Sequence, residues 1–204
     1  MKVPSYWSEA KAHLSRVDGK LGAVIRAYEE PPLQSKEDPF LTLCNAIVGQ
    51  QISAVAAAAI WSRATTLVGA WEPDRVLATS EEALRKTGLS RRKVEYLQGV
   101  ARDWSTLPHH TFEDMSDEAL RKTLCSLRGV GPWSANMLLL FSYLRPDVFP
   151  IKDIGVIRAM EQLYELPRNV DPAQLIERAE CWRPYRSVAT WYLWRLIDGE
   201  AVLY

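Results

Sequence analysis

Asp153 is the residue whose type and position could most directly carry chemistry. It lies 22 residues beyond Gly131 and shortly after Pro150, at the start of a helix predicted over residues 153–164. From position alone the commoner role is an N-cap, because an Asp side chain accepts a hydrogen bond from the first turn of a helix. A carboxylate can also stabilise a developing positive charge, and it can orient or deprotonate a water molecule.

Residues 127–135, Leu-Arg-Gly-Val-Gly-Pro-Trp-Ser-Ala, predict a tight turn between two helices. Gly129 and Gly131 bracket one small apolar residue, and glycine permits positive φ and the close approach of another backbone. Such a turn exposes backbone N–H groups beside a helix N-terminus, which can hold a phosphate without a charged side chain. Pro132 suits the first helical turn, where no N–H is needed. Taken alone, Gly-x-Gly favours an ordinary turn between helices.

Helical periodicity dominates the chain and alternating strand patterns are scarce, so we predict an all-α fold of about ten helices. Gly88 is placed like a helix C-cap and Ser90 like the next N-cap. The expected helices cover 5–17, 40–67 (two helices broken near Gly49), 73–78, 81–86, 90–104, 116–126, 133–143, 153–164, a segment beginning at Pro172, and 184–197.

The polar, proline-containing stretch 29–39 and the later proline turns suggest two lobes with a cleft between them. We expect one lobe to combine the two ends of the chain, 1–36 and 155–204. The other would be a central lobe, 37–154, which carries the hairpin and its two flanking helices at about 117–143.

Composition constrains the function less than the motifs do. Twenty-five Lys and Arg balance 25 Asp and Glu in 204 residues, so a nucleic-acid partner would need locally concentrated charge or helix N-termini. Three cysteines are too few and too widely spaced for a disulfide framework, which predicts a reducing cytoplasm. The N-terminus lacks the apolar run of a signal peptide, and no membrane-spanning stretch is expected.

Four further stretches accompany the turn at 127–135 in a fixed order. They are Ile47–Ser53 (Gly-Gln-Gln-x-Ser), Gly88–Leu97 (Gly-Leu-Ser-x-x-Lys), Phe149–Val156 and Trp182–Ser187 (Trp-x-Pro-[Trp/Tyr]-Arg-Ser). Each is weak alone, but five in order are specific. Together they resemble the helix–hairpin–helix (HhH-GPD) DNA glycosylase superfamily, and in particular its AlkA-type 3-methyladenine DNA glycosylases.

The resemblance implies base excision repair by hydrolysis of the N-glycosidic bond of alkylated purines, after the damaged base is flipped from the duplex. It makes Asp153 the catalytic carboxylate, which stabilises the oxocarbenium-like sugar and assists the water. Bifunctional relatives carry a lysine two residues after the second hairpin glycine, where this chain has Trp133. That substitution, together with the lack of four clustered cysteines for an iron–sulfur cluster, predicts a monofunctional enzyme.

The same resemblance assigns the remaining site residues. An alkylated, positively charged purine is attracted by aromatic faces. The expected base pocket consists of Trp133, Trp194, Met137 and Tyr185, where Met137 replaces a tyrosine of some relatives and leaves the range of lesions open. The expected DNA contacts come from Gly129, Val130, Gly131 and Ser134 of the hairpin, from Gln50, Gln51, Ile52 and Ser53 of the turn that would plug the gap, and from Lys93.

The backbone carbonyls of Cys125, Leu127 and Val130 match those that hold a monovalent cation in the family hairpin, so K⁺ or Na⁺ is expected there. No cofactor is expected to be required. The predicted partner is damaged double-stranded DNA, bound by a monomer in the cytoplasm, at the nucleoid if the source is a bacterium.

Three alternatives remain open at this point. A non-catalytic helix–hairpin–helix DNA-binding module would give Asp153 no special role. A glycosylase/AP lyase of another lesion class would be trapped on DNA by borohydride. A helical scaffold for protein partners would show no affinity for an abasic-site analogue.

Overall fold

The computed structural model describes residues 1–28 and 30–198, and this part of the chain forms twelve α-helices and three short 3-10 helices without any strand. The all-α prediction is therefore confirmed. The helices are α1 Trp7–Val17, α2 Gly19–Ala27, α3 Pro39–Gly49, α4 Ala54–Val68, α5 Pro73–Ala78, α6 Glu81–Lys86, α7 Arg91–Asp103, α8 Asp117–Cys125, α9 Pro132–Phe141, α10 Ile154–Tyr164, α11 Pro172–Ala179 and α12 Arg186–Asp198. The 3-10 helices are Trp104–Thr106, His109–Thr111 and Glu180–Trp182.

Short polar side chains determine where most helices begin. At each of these positions the side-chain oxygen accepts a hydrogen bond from a backbone N–H of the first turn, which satisfies one of the donors a helix leaves unpaired. The capping residues are Asp18, Asp38, Ser53, Ser80, Ser90, Ser116, Asp153 and Asp171.

Backbone contacts divide the described chain into two compact units, 38–138 and 1–37 with 139–198. The sequence-based division placed 139–154 in the central lobe, whereas these contacts group it with the termini. Backbone hydrogen bonding gives the reason, because Ser187 N donates to Pro146 O across 3.0 Å and Ser187 Oγ accepts from Val148 N across 2.9 Å.

The unit at 38–138 is built around α3. Nearly every residue from Phe40 to Val48 is buried, as expected for a helix that is apolar all round and surrounded by others. Helices α4 and α7 pack on it, and α5 and α6 pack on α7. Helix α7 is amphipathic and buries Val94, Leu97 and Val100. It also carries Lys93 and Tyr96 toward two turns of this unit.

The other unit is built around α12. Residues 187–195 of this helix are all buried, and α1, α2 and α10 pack against it. Helix α2 was not predicted, because Gly19 and Gly22 lower its helix propensity. Its start is fixed instead by the side chain of Asp18.

Candidate catalytic and nucleic-acid site

Asp153 caps α10, and its carboxylate is held by two donors. Oδ1 accepts from Val156 N across 2.9 Å and from Trp194 Nε1 across 3.1 Å. The side chain remains partly exposed. Convergence of a backbone and an indole N–H on one oxygen fixes the orientation of the group. The capping role predicted from position is therefore observed, in a residue that is only partly buried.

Gly155 provides the space in which this arrangement forms. A Cβ at that position would lie 3.0 Å from Asp153 Oδ1 and 3.3 Å from Trp194 Cδ1. Both distances are tighter than ordinary van der Waals contact, so a side chain at residue 155 would displace the indole or the carboxylate. The sequence did not predict this role, because a glycine two residues after a helix cap does not indicate which distant side chain packs against it.

The segment that leads to Asp153 is clamped by the start of α12. Ser187 Oγ donates to Arg145 O and accepts from Val148 N. Arg186 makes a bidentate pair with Asp147, with Nε and Nη2 at 2.6 and 2.9 Å from its two carboxylate oxygens. Such paired, charge-assisted hydrogen bonds combine strength with fixed geometry. The Trp182–Ser187 stretch thus has a structural purpose that its sequence did not reveal.

Arg183 and Trp182 extend the clamp. Arg183 donates to Asp147 as well, so one carboxylate binds two guanidinium groups. The Trp182 side chain is fully buried, packs edge-on against Phe149 and donates its N–H to Asp18 Oδ2 across 3.0 Å. The residues before Asp153 are therefore held by both charge and packing.

The four predicted pocket residues have different environments. Trp194 is 5% exposed and stacks on Phe141 with ring centroids 5.9 Å apart. Tyr185 stacks on Tyr6 at 5.8 Å, and its hydrogen bond to Glu9 raises the pKa of its hydroxyl.

In the 38–138 unit, Trp133 is the second residue of α9 and is partly exposed, with its ring beside Gly49. Met137, one turn further along the same helix, is fully buried. Trp194 contacts Asp153 directly through its indole N–H.

The hairpin joins α8 to α9. Val130 N donates to Leu127 O across 3.1 Å, and this bond closes the turn. Gly129 has a φ of +92°, and a Cβ there would lie 2.1 Å from Cγ of Tyr96, so only glycine fits. Gly131 does not adopt a positive φ, and the space where its Cβ would point is open. The two glycines therefore differ. Gly129 is required by the conformation of the turn, whereas Gly131 leaves one side of the turn open.

The turn between α3 and α4 is attached to the hairpin by Gln50. Its Nε2 donates to Gly129 O across 2.9 Å and to Ser134 Oγ across 2.8 Å. Ser134 is buried beneath this contact. The next residue, Gln51, is exposed and has a φ of +58°, and Ile52 is 37% exposed.

Ser53 caps α4 by accepting from Ala56 N. Lys93 also supports this turn, because its Nζ donates to Val48 O across 2.7 Å. Desolvation lowers the pKa of Lys93.

Exposed arginines lie near the hairpin. Arg128 is within the turn, and its guanidinium is 3.3 Å from Glu95, which Arg91 also approaches at 3.6 Å. Arg92 donates to the hydroxyl of Tyr96. Two of these arginines, Arg128 and Arg91, thus share the carboxylate of Glu95. The sequence analysis did not predict a role for Arg128, although its position next to Gly129 of the hairpin could have indicated one.

The carbonyls of Cys125, Leu127 and Val130 belong to the same turn. Cys125 is the last residue of α8, where backbone carbonyls lack intrahelical partners. Neutral carbonyl oxygens are a donor set that suits a hard monovalent cation. Among the described residues, no cluster of His, Cys, Asp or Glu side chains could hold a metal ion. None of the helices described is both long and apolar enough to cross a membrane.

The chain is similar to a known protein family and to proteins within it. A model of the HhH-GPD superfamily, described as base excision DNA repair proteins, matches residues 44–184. The DNA-3-methyladenine glycosylase 1 of Schizosaccharomyces pombe is 29% identical over 197 residues, which cover 92% of this chain and 86% of that protein.

Two solved structures are also similar. The S. pombe 3-methyladenine DNA glycosylase in complex with abasic DNA has a TM-score of 0.86 at 28% identity, covering 96% of this chain and 99% of that one. A DNA-3-methyladenine glycosidase from Bacillus halodurans has a TM-score of 0.76 at 32% identity, covering 98% and 96%.

Proposed function

The chain belongs to the HhH-GPD superfamily of base excision DNA repair proteins and is a DNA glycosylase; we propose that it hydrolyses the N-glycosidic bond of alkylated purines of the 3-methyladenine type. The observation that carries the proposal is the fixed carboxylate of Asp153, a partly buried residue that lies inside the matched stretch of the family. The relatives named above, which act on 3-methyladenine, support the substrate class.

The proposed mechanism needs one carboxylate. As the base leaves, positive charge develops on the deoxyribose, and a negative group nearby lowers the energy of that state. Asp153 would stabilise the charge and orient or deprotonate the attacking water. The N–H groups of Val156 and Trp194 hold its oxygen in place, so little reorganisation is needed during the reaction. Trp133 at the lyase position supports hydrolysis without a Schiff base.

Alkylation changes the base in a way that lets the enzyme distinguish it from normal purines. A purine alkylated on a ring nitrogen is cationic, and aromatic faces attract it by about 0.5–2 kcal/mol each. Trp133, which is only partly buried, is one candidate for this contact, and Trp194, Met137 and Tyr185 remain proposed pocket residues. The positive charge also makes the base a better leaving group, so binding need not supply all the discrimination.

We expect DNA to be held mainly through its backbone. The open side of Gly131 and the N-terminus of α9 offer amide N–H groups to a phosphate, and Arg128 adds positive charge. A K⁺ or Na⁺ bound by the carbonyls of Cys125, Leu127 and Val130 would add to the electrostatic attraction. Gln51 and Ile52 would fill the gap left by the flipped base, which their exposure supports.

The expected partner is damaged double-stranded DNA, bound by a monomeric enzyme. We expect the enzyme to act in the cytoplasm, at the nucleoid in a bacterium. The structure of the similar S. pombe glycosylase in complex with abasic DNA supports the partner.

The test is base release from DNA treated with a methylating agent, with 3-methyladenine and 7-methylguanine measured separately. Wild-type protein should release 3-methyladenine, and Asp153→Asn should slow release by about 10²- to 10⁴-fold. Asp171→Asn is the matched control, because Asp171 also caps a helix, α11, by accepting from Ala173 N at an exposed position. Equal activity of Asp153→Asn and wild type would refute the proposed mechanism.

A further inference from the structure

The turn at residues 50–53 and the hairpin at 126–131 are joined by side-chain hydrogen bonds within one compact unit. Gln50 begins the turn, and its carboxamide reaches residues 79 and 84 positions further along the chain. The donor is one NH₂ group, which has two protons and uses two acceptors, Gly129 O and Ser134 Oγ. The acceptors lie in the hairpin and in the first turn of α9.

Helix α7 lies beneath both turns. Lys93 donates to Val48 O, one of the last carbonyls of α3, where a cation is favoured by the helix dipole. Tyr96, three residues later on the same helix, packs its ring directly under Gly129. One helix thus supports the end of α3 and the base of the hairpin, and Gln50 connects the two above it.

Beyond Gln50 the chain has few anchors of its own. Gln51 is exposed in a left-handed conformation, Ile52 shows its apolar side chain to solvent, and Ser53 is exposed. Residues 51–53 therefore take their position from what precedes and follows them. The side-chain contact of Gln50 with the hairpin is the anchor on the preceding side.

We infer that Gln50 is a positioning residue for base flipping: it fixes the Gln51–Ile52 turn relative to the hairpin, so that the hairpin's hold on a phosphate sets where the turn enters the duplex. The inference rests on the proposed function, in which this turn fills the gap and the hairpin holds the backbone. It assigns Gln50 no direct contact with DNA.

The experiment compares affinities for two duplexes of the same sequence. One contains a tetrahydrofuran abasic analogue, which offers a gap, and the other is undamaged and offers only the backbone. Gln50→Ala should lower the affinity for the abasic duplex about tenfold. Its affinity for the undamaged duplex should stay within about twofold of wild type, because the backbone contacts of the hairpin remain.

Two further variants test whether the hydrogen bonds matter rather than the volume. Gln50→Glu keeps the shape but faces the Gly129 carbonyl with an acceptor, so it should be at least as impaired as Gln50→Ala. Combining Gln50→Ala with Ser134→Ala should add little to Gln50→Ala alone, since both remove the same interaction.

Gln98→Ala is the matched control. Gln98 lies on α7, and its Nε2 donates to Thr79 O across 3.0 Å, so this variant loses a comparable bond away from both turns. It should keep the wild-type ratio of the two affinities. A general loss of stability would lower both affinities together, and melting temperatures of all variants identify that case.

A 2-aminopurine opposite the abasic analogue reports directly whether the turn enters the gap. Wild-type protein should change its fluorescence, and Gln50→Ala should reduce that change at saturating protein. Equal losses on both duplexes, an unchanged ratio, or a wild-type chain without preference for the abasic duplex would each overturn the inference. A chain that prefers the abasic duplex but releases no methylated base would refute the proposed function and leave this inference standing.

Discussion

The indole N–H of Trp194 donates to Oδ1 of Asp153 across 3.1 Å, so a helix-capping carboxylate has a side-chain donor as well as its backbone donor. Trp194 is itself fixed by stacking on Phe141 and by burial within α12. The consequence is that the orientation of Asp153 depends on the core of its unit. Changes that leave Asp153 intact but alter this support should reduce activity.

Replacing Trp194 with phenylalanine should distinguish the effect of its aromatic ring on base release from the effect of its N–H group. Trp194→Phe keeps an aromatic face against Phe141 but removes the donor to Asp153, and we expect single-turnover base release to fall about tenfold. Trp191→Phe is the control, because Trp191 lies on the same helix and donates to Pro31 O across 3.3 Å. If both variants lose activity equally, the loss reflects packing of α12 and not the bond to Asp153.

Gly155→Ala should lower activity without lowering stability. Alanine at a helical position is favoured over glycine by about 1 kcal/mol, so α10 itself should not be weakened. The new Cβ would lie 3.0 Å from Asp153 Oδ1, so base release should fall about tenfold while the melting temperature stays near the wild-type value. Gly19→Ala, where a Cβ would meet nothing within 4 Å, should leave base release unchanged and should not lower the melting temperature. Full activity of Gly155→Ala would contradict the crowding argument.

Ser187→Ala should weaken the clamp on the segment before Asp153. The variant loses the acceptor for Val148 N and the donor to Arg145 O, and it leaves a buried N–H unsatisfied. Such a loss costs about 1–3 kcal/mol. A lower melting temperature, by about 2–4 °C per kcal/mol, should accompany slower base release. Thr66→Ala removes an exposed hydroxyl bonded to Ser62 O and should change neither.

Asp18 predicts a dependence of stability on pH. Burial acts to raise its pKa, but hydrogen bonds from Leu21 N, Tyr164 and Trp182 outweigh burial, and the pKa lies below its ordinary value. A lowered carboxylate pKa stabilises the fold fully above the unfolded value of about 3.9, and this contribution is lost as pH falls through the folded value.

Asp18→Asn should therefore melt below wild type at pH 7, with a difference that shrinks below about pH 4. The measurement is the melting temperature of both proteins between pH 7 and pH 3. A constant difference across this range would show that the carboxylate charge plays no part.

Local features of the fold could be predicted because they depend on neighbouring residues. Ser90 and Asp153 cap helices as expected, and Gly88 ends α6 with a φ of +104°. These outcomes follow from hydrogen bonds within three residues and from backbone sterics. Helix α2 was missed because its glycines oppose helix formation, whereas packing on α1 and α12 stabilises it.

Long-range contacts could not be predicted. The family resemblance predicted Lys93 as a DNA contact. In the structure it binds Val48 O, 45 residues away, which no local pattern encodes. The bond from Gln50 to Ser134 spans 84 residues in the same way. Neither contact excludes the predicted roles in DNA binding, which remain predictions.

The two hairpin glycines should respond differently to alanine. At Gly129 an alanine would meet a φ of +92° and a Cβ position 2.1 Å from the ring of Tyr96, so Gly129→Ala should lower the melting temperature and DNA affinity together. At Gly131 the Cβ would point into open space, and no positive φ is required.

Gly131→Ala should therefore melt like wild type yet bind duplex DNA more weakly, because the added methyl group occupies the side on which we expect a phosphate to approach. Fluorescence anisotropy with an undamaged duplex measures the affinity, and thermal unfolding measures the stability. The loss should appear on duplexes of any sequence, since the contact is to the backbone. Unchanged affinity in Gly131→Ala would show that the open side of the hairpin does not face DNA, and the hairpin would then have to bind by another surface.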